Sequence, residues 1–124
     1  MTWLMVALGG ALGSVGRFGL GQALARYEAF PYGTLLANVL GSLVIGCCAG
    51  LFSDDQKYSS PGLFLMVGFC GGFTTFSTFS LQALELMQQQ AWTKAGGYML
   101  LSVALCLFGT WIGLLLGQAL RKTG

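Results

Sequence analysis

The sequence predicts an all-α integral membrane protein with four transmembrane helices, the third broken near its middle. Three observations lead there. Hydrophobic residues make up 55% of the 124 and charged residues only 8%, against roughly 25% charged in a typical globular protein. The charges are clustered (Arg26 with Glu28; Asp54, Asp55 and Lys57; Lys94; Arg121 with Lys122), and four apolar stretches lie between the clusters. Each is long enough for the about 20 residues that a bilayer core requires. Within the third, residues 68–80 read GFCGGFTTFSTFS. Its paired glycines lose conformational entropy in a helix, and its paired β-branched threonines crowd the preceding turn.

The whole chain, residues 1–124, is one four-span membrane domain. Span one covers about residues 2–25, and Gly9 and Gly13 give it a small-xxx-small face suited to close helix contact. Arg17 interrupts it and must snorkel to the interface, find a partner or face water, with snorkelling the first expectation. No basic region precedes the apolar run and no cleavage site is evident, so a removed signal peptide is not expected. Pro31 ends the first connection and suits the first turn of the next helix.

Span two covers about residues 32–52, with Thr34, Asn38 and Ser42 four apart on one face and Gly46 and Gly50 as a packing stripe. Asn38 lies too deep to reach water easily. It is either an interhelical clasp or a pore-facing group whose NH₂ could hydrate an anion. The polar connection SDDQKYSS leads to span three, about residues 61–86, which ends in the interfacial tail Gln88-Gln89-Gln90. Span four covers about residues 94–120. Tyr98, Ser102, Cys106 and Thr110 recur every four residues as a weakly polar stripe, and Gly109, Gly113 and Gly117 form a second stripe for packing. Hydroxyls in such a stripe can simply bond back to their own helix.

Backbone that leaves the helix at membrane depth cannot face lipid, because its N–H and C=O groups would go unsatisfied. The break expected over Gly71–Thr75 must therefore be buried in protein or line an ion- or water-filled cavity; the competing reading is an intact helix whose small residues permit close packing. Phe76 and Phe79, three apart on one face, alternate with the hydroxyls of Ser77, Thr78 and Ser80. They either pack or turn their electropositive ring edges to an anion.

Several function classes lack the residues they need. The carboxylates Glu28, Asp54, Asp55 and Glu85 lie at span ends and the chain has no histidine, so acid–base catalysis has no evident centre. The four cysteines, Cys47, Cys48, Cys70 and Cys106, form no CxxC pair, so zinc and haem lack ligands. A net charge of +2 does not suggest nucleic acid. A four-helix exporter of the small multidrug resistance type would need a carboxylate deep in the membrane, and none is present. What remains is an uncharged polar pathway for a small anion, with transport of another small solute or a non-conducting assembly role as alternatives.

The run GGFTTFSTFS, with GGALGSVGR ending at Arg17 and GTLLANVLGS around Asn38, resembles the CrcB family of fluoride channels, also called Fluc. The resemblance covers essentially the whole chain. It implies a dual-topology, antiparallel homodimer in the bacterial inner membrane that exports fluoride passively through two pores, with a structural sodium ion at the dimer centre. It implies further that Phe76 and Phe79 meet fluoride with their ring edges and that Asn38 is the pore asparagine. Ser77, Ser80, Tyr98, Ser102 and Thr110 would belong to the polar lining. Gly71 and Thr74 would supply sodium with backbone carbonyls, and Arg17 would be a vestibule or structural residue. Cys106 departs from the hydroxyl expected of relatives, and a thiol is the weaker donor.

The charge pattern is compatible with insertion in both orientations. Lys57, Arg121 and Lys122 fall on the side of the termini, Arg26 and Lys94 fall opposite, and Arg17 leans to the latter side. In an antiparallel dimer the two-fold axis lies at mid-membrane depth, where two copies of Gly71–Thr75 can meet and pool carbonyl oxygens suited to a hard cation.

Overall fold

A computed structural model of the chain describes residues 1–27 and 29–124. Glu28, one of the carboxylates placed at a span end, lies outside the described residues. Four helical spans are long and apolar enough to cross a membrane. The first, α1 (Thr2–Ala23), is followed by a 3₁₀ turn at Ala25–Tyr27. Pro31 caps α2 (Tyr32–Leu51), its missing N–H falling where a helix has no internal partner to offer.

The connection after α2 carries a one-turn helix, α3 (Asp54–Lys57). The Gln56 side chain accepts from the Ser53 backbone N–H at 2.8 Å, and Lys57 pairs with Asp54 at 2.9 Å. The hydrogen bond and positive charge of Lys57 hold the Asp54 carboxyl below its usual range.

The third span runs over Ser60–Gln88 in several pieces. It opens with α4 (Ser60–Gly62), continues as a π-helix over Leu63–Cys70, and closes its first half with α5 (Gly71–Phe73). Thr74 (φ −87°, ψ 157°) and Thr75 (φ −151°, ψ 123°) are extended, and α6 (Phe76–Gln88) begins beyond them. A turn then leads to α7 (Trp92–Thr123), whose 32 residues make it the longest helix described. In that turn Gln90 has φ 57°. The Ala91 N–H reaches Leu86 O and the Gln90 N–H reaches Met87 O, each at 2.9 Å. This is a Schellman cap, with glutamine in the left-handed position that glycine usually holds.

Two glycine seams join the spans in pairs. Along α1, a methyl group on Gly9 would meet Gly68 Cα at 3.0 Å, and one on Gly13 would meet Phe73 N at 2.7 Å. Across α2 and α7, the Cβ of an alanine at Gly50 would sit 2.7 Å from Gln118 N, and one at Gly113 would sit 2.8 Å from Cys47 N. These are approaches of backbone to backbone, which only residues without a Cβ permit. The glycine stripes expected to pack do so. The core cluster lies at the α6–α7 end, where Ala83, Leu86, Ala95 and Tyr98 are buried together.

Candidate functional site

A continuous third helix would run hydrogen bonds from the N–H groups of Thr75, Phe76, Ser77 and Thr78 to the carbonyls of Gly71, Gly72, Phe73 and Thr74. The extended dihedrals of Thr74 and Thr75 open all four. Replacement partners come from side chains. Asn38, reaching across from α2, accepts from Thr75 N–H at 2.7 Å and donates through Nδ2 to Thr75 O at 3.1 Å. Thr78 N–H turns to Thr75 Oγ1 at 3.1 Å, which makes Thr75 the N-cap of α6. Arg17 Nε donates to Gly72 O at 3.1 Å. On the other side, Thr74 N–H and Thr74 Oγ1 both donate to Cys70 O, at 3.0 and 2.7 Å. The carbonyls of Gly71, Phe73 and Thr74 are left without a hydrogen-bond donor among the described residues.

Beside this interruption lies an open groove of about 350 Å³. Asn38 and Ser42 of α2 form one wall, Thr74, Thr75, Phe76 and Phe79 a second, and Ser102 and Cys106 of α7 a third. Ser102 is only 6% exposed, and its Oγ has no hydrogen-bond partner among the described residues. The two phenylalanines differ in setting. Phe76 is 79% exposed, while Phe79 packs against Tyr98 with ring centroids 5.0 Å apart. The rings of Phe76 and Phe79 lie 5.5 Å apart and are tilted by 49°.

A second groove, of about 370 Å³, opens toward the first connection and is lined by Thr34, Gln82, Glu85, Gln89 and Lys94 among others. Tyr98 links the two. Fully buried, it touches Phe79 of the inner groove and donates its hydroxyl to Gln82 Oε1 of the outer one at 2.9 Å. Phe30 meets its ring edge-on at 5.4 Å. The outer groove therefore carries charges of both signs at its mouth, whereas among the described residues the inner one has neither a carboxylate nor a cationic side chain in its lining.

Residues 4–114 match the family model described as CrcB-like protein, Camphor Resistance (CrcB). The chain belongs to the CrcB family. Among its curated CrcB relatives, a protein of Rhodospirillum rubrum is 48% identical over 118 residues, covering 91% of this chain and 92% of its own. One of Opitutus terrae is 47% identical over 116 residues, covering 90% and 88%. A third, of Methylocella silvestris, is 42% identical over 127 residues, covering 98% and 97%. Each bears the name fluoride-specific ion channel FluC. Four apolar helices and bacterial relatives named as ion channels make the chain a multi-pass bacterial membrane protein.

Of the residues that the CrcB resemblance singles out, Asn38, Gly71, Thr74, Phe76, Phe79 and Ser102 line the inner groove together, and Tyr98 backs it. Ser77, Ser80 and Thr110 do not line it. Ser77 and Ser80 each follow a groove phenylalanine by one residue, which turns them about 100° round α6, and both are exposed. Thr110 sits where α7 crosses Gly46, and a Cβ there would run into its carbonyl. The snorkelling expected first for Arg17 gives way to its bond with Gly72 O, because an unpaired carbonyl at that depth is the better partner. The groups that sequence reasoning missed are Thr75 and Gln82. Threonine is a favoured N-cap where a helix restarts, and Gln82 follows Phe79 by three and so shares its face.

Proposed function

We propose that this chain forms a passive, fluoride-selective channel that exports fluoride from the bacterial cell, with fluoride passing along the inner groove. The names of its relatives supply the ion. The single structural observation that carries the path is the buried, unpartnered Ser102 Oγ, set among Asn38, Phe76 and Phe79. A buried hydroxyl without a partner calls for one that comes and goes, and an anion or its water is such a partner.

Fluoride is small and strongly hydrated, so entry requires donors that replace water. The Ser102 hydroxyl is one. The Asn38 amide is another, because Thr75 O takes only one of its two N–H groups. The ring edges of Phe76 and Phe79 add a weaker positive lining. Release requires that no fixed cation trap the ion. Arg17, held on Gly72 O, does not line the groove. No bond is made or broken, so the protein acts as a channel and not as an enzyme.

The active form in this reading is a dual-topology, antiparallel homodimer with a groove in each subunit and hence two pores. Two exposures favour a second copy at this depth: Phe76 is 79% exposed, and Gly71 is exposed with open space where a Cβ would be. A sodium ion would be held on the two-fold axis by the carbonyls of Gly71 and Thr74 from each chain. Among the described residues neither oxygen has a hydrogen-bond donor, which leaves its lone pairs free for a cation, and neutral oxygens suit a hard monovalent ion.

The test is ion efflux from liposomes containing the purified protein, followed with ion-selective electrodes. Rapid fluoride efflux with no chloride efflux is expected. Chloride or organic-cation flux would favour a different solute, and absence of flux from folded dimers would favour an assembly role.

A further inference from the structure

We propose that Asn38 and Thr75 are positioning residues of the sodium site, their side chains holding away the two N–H groups that would otherwise close on its ligands. The inference rests on the sodium reading above and adds to it what keeps the ligands available. In an unbroken helix the donor to Gly71 O would be Thr75 N–H, and the donor to Thr74 O would be Thr78 N–H. The first is held by Asn38 Oδ1 at 2.7 Å and the second by Thr75 Oγ1 at 3.1 Å. Each side chain thus diverts the donor of one proposed ligand. The carbonyl between them in sequence that does have a partner, Gly72 O, receives Arg17 Nε. The same two residues line the fluoride groove, so the pore wall and the cation site share their supports.

The chemistry separates this role from simple packing. Diverting an N–H requires only an acceptor oxygen at the right place. Asn38→Asp and Thr75→Ser keep that oxygen; Asn38→Leu and Thr75→Val keep approximate volume and remove it. Without the acceptor, a buried N–H seeks its helical carbonyl, because leaving it unpaired is costly.

The experiment measures thermal unfolding of the purified dimer as sodium chloride replaces N-methylglucamine chloride. Wild type is expected to gain stability with sodium. Asn38→Leu and Thr75→Val are expected to need about ten-fold more sodium or to lose the response, in line with the usual cost of an unmet buried hydrogen bond. Asn38→Asp and Thr75→Ser are expected to keep it. A wild type indifferent to sodium would remove the sodium site itself. A sodium-responsive wild type whose Leu and Val variants respond at the same concentration would overturn the positioning role alone. Should those variants not form dimers, a high-resolution structure of the wild-type dimer in sodium decides. Thr75 N–H on Asn38 Oδ1 and Thr78 N–H on Thr75 Oγ1 beside a bound ion are expected, and a bound ion with either N–H on the carbonyl of Gly71 or Thr74 would overturn the positioning role.

Discussion

The Asn38 carboxamide pairs with both backbone groups of Thr75, accepting at 2.7 Å and donating at 3.1 Å. One side chain thereby does for Thr75 what a neighbouring strand does in a sheet, and it does so inside a membrane span. The two readings of Asn38, clasp and pore-facing amide, are therefore compatible, since the same residue lines the inner groove.

Asn38→Asp separates those two functions. A carboxylate can still accept from Thr75 N–H, but it has no donor for Thr75 O or for an anion, and when ionised it repels the anion. The protein is expected to fold, with fluoride efflux lowered by about ten-fold or more, the usual cost of a lost buried hydrogen bond. Liposome efflux beside size-exclusion chromatography measures both.

The glycine seams give a stability prediction with an internal control. Gly113→Val places side-chain atoms against the Leu43 carbonyl and Cys47 N of α2, both backbone and unable to yield. Loss of the folded protein is expected. Gly19→Ala, with no described residue within 4 Å of the new Cβ, is expected to raise stability by about 0.5–1 kcal/mol through helix propensity. Thermal unfolding in detergent compares the two.

Gln90 offers a stabilising substitution. Its φ of 57° is one that glycine adopts without cost. Gln90→Gly is expected to stabilise the α6–α7 turn by about 1 kcal/mol, the penalty that a left-handed conformation imposes on other residues. An unchanged or lower unfolding temperature would count against the cap.

Much of this was legible in the sequence because the membrane imposes strict patterns. Apolar runs gave the spans, and four-residue glycine spacing gave the seams Gly9–Gly13, Gly46–Gly50 and Gly109–Gly117. The run Gly71–Thr75 marked poor helix material, yet only Thr74 and Thr75 leave the helical region, while Gly71–Phe73 remain helical. Glycine tolerates a helix when flanking turns hold it, whereas a threonine side chain, as at Thr75, can supply the cap that starts a new one. The π-helical geometry of Leu63–Cys70 had no signal in its apolar composition. Nor did the partner of Arg17. Which carbonyl a side chain finds across an interface depends on helix rotation, which spacing within one helix cannot fix.

Phe76 and Phe79 test the central claim, that fluoride passes along the groove beside the clasped interruption, most directly. Phe79 packs against Tyr98, so Phe79→Ile should cost some stability, about 1–3 kcal/mol for altered packing of a large side chain. Phe76 is largely exposed in the single chain, so Phe76→Ile should leave the subunit fold intact. Both remove the electropositive ring edge. The decisive measurement is fluoride efflux from liposomes containing either variant, with folded protein verified beforehand. Efflux is expected to collapse in both while chloride does not pass. Fluoride efflux at the wild-type rate through both variants would contradict the claim.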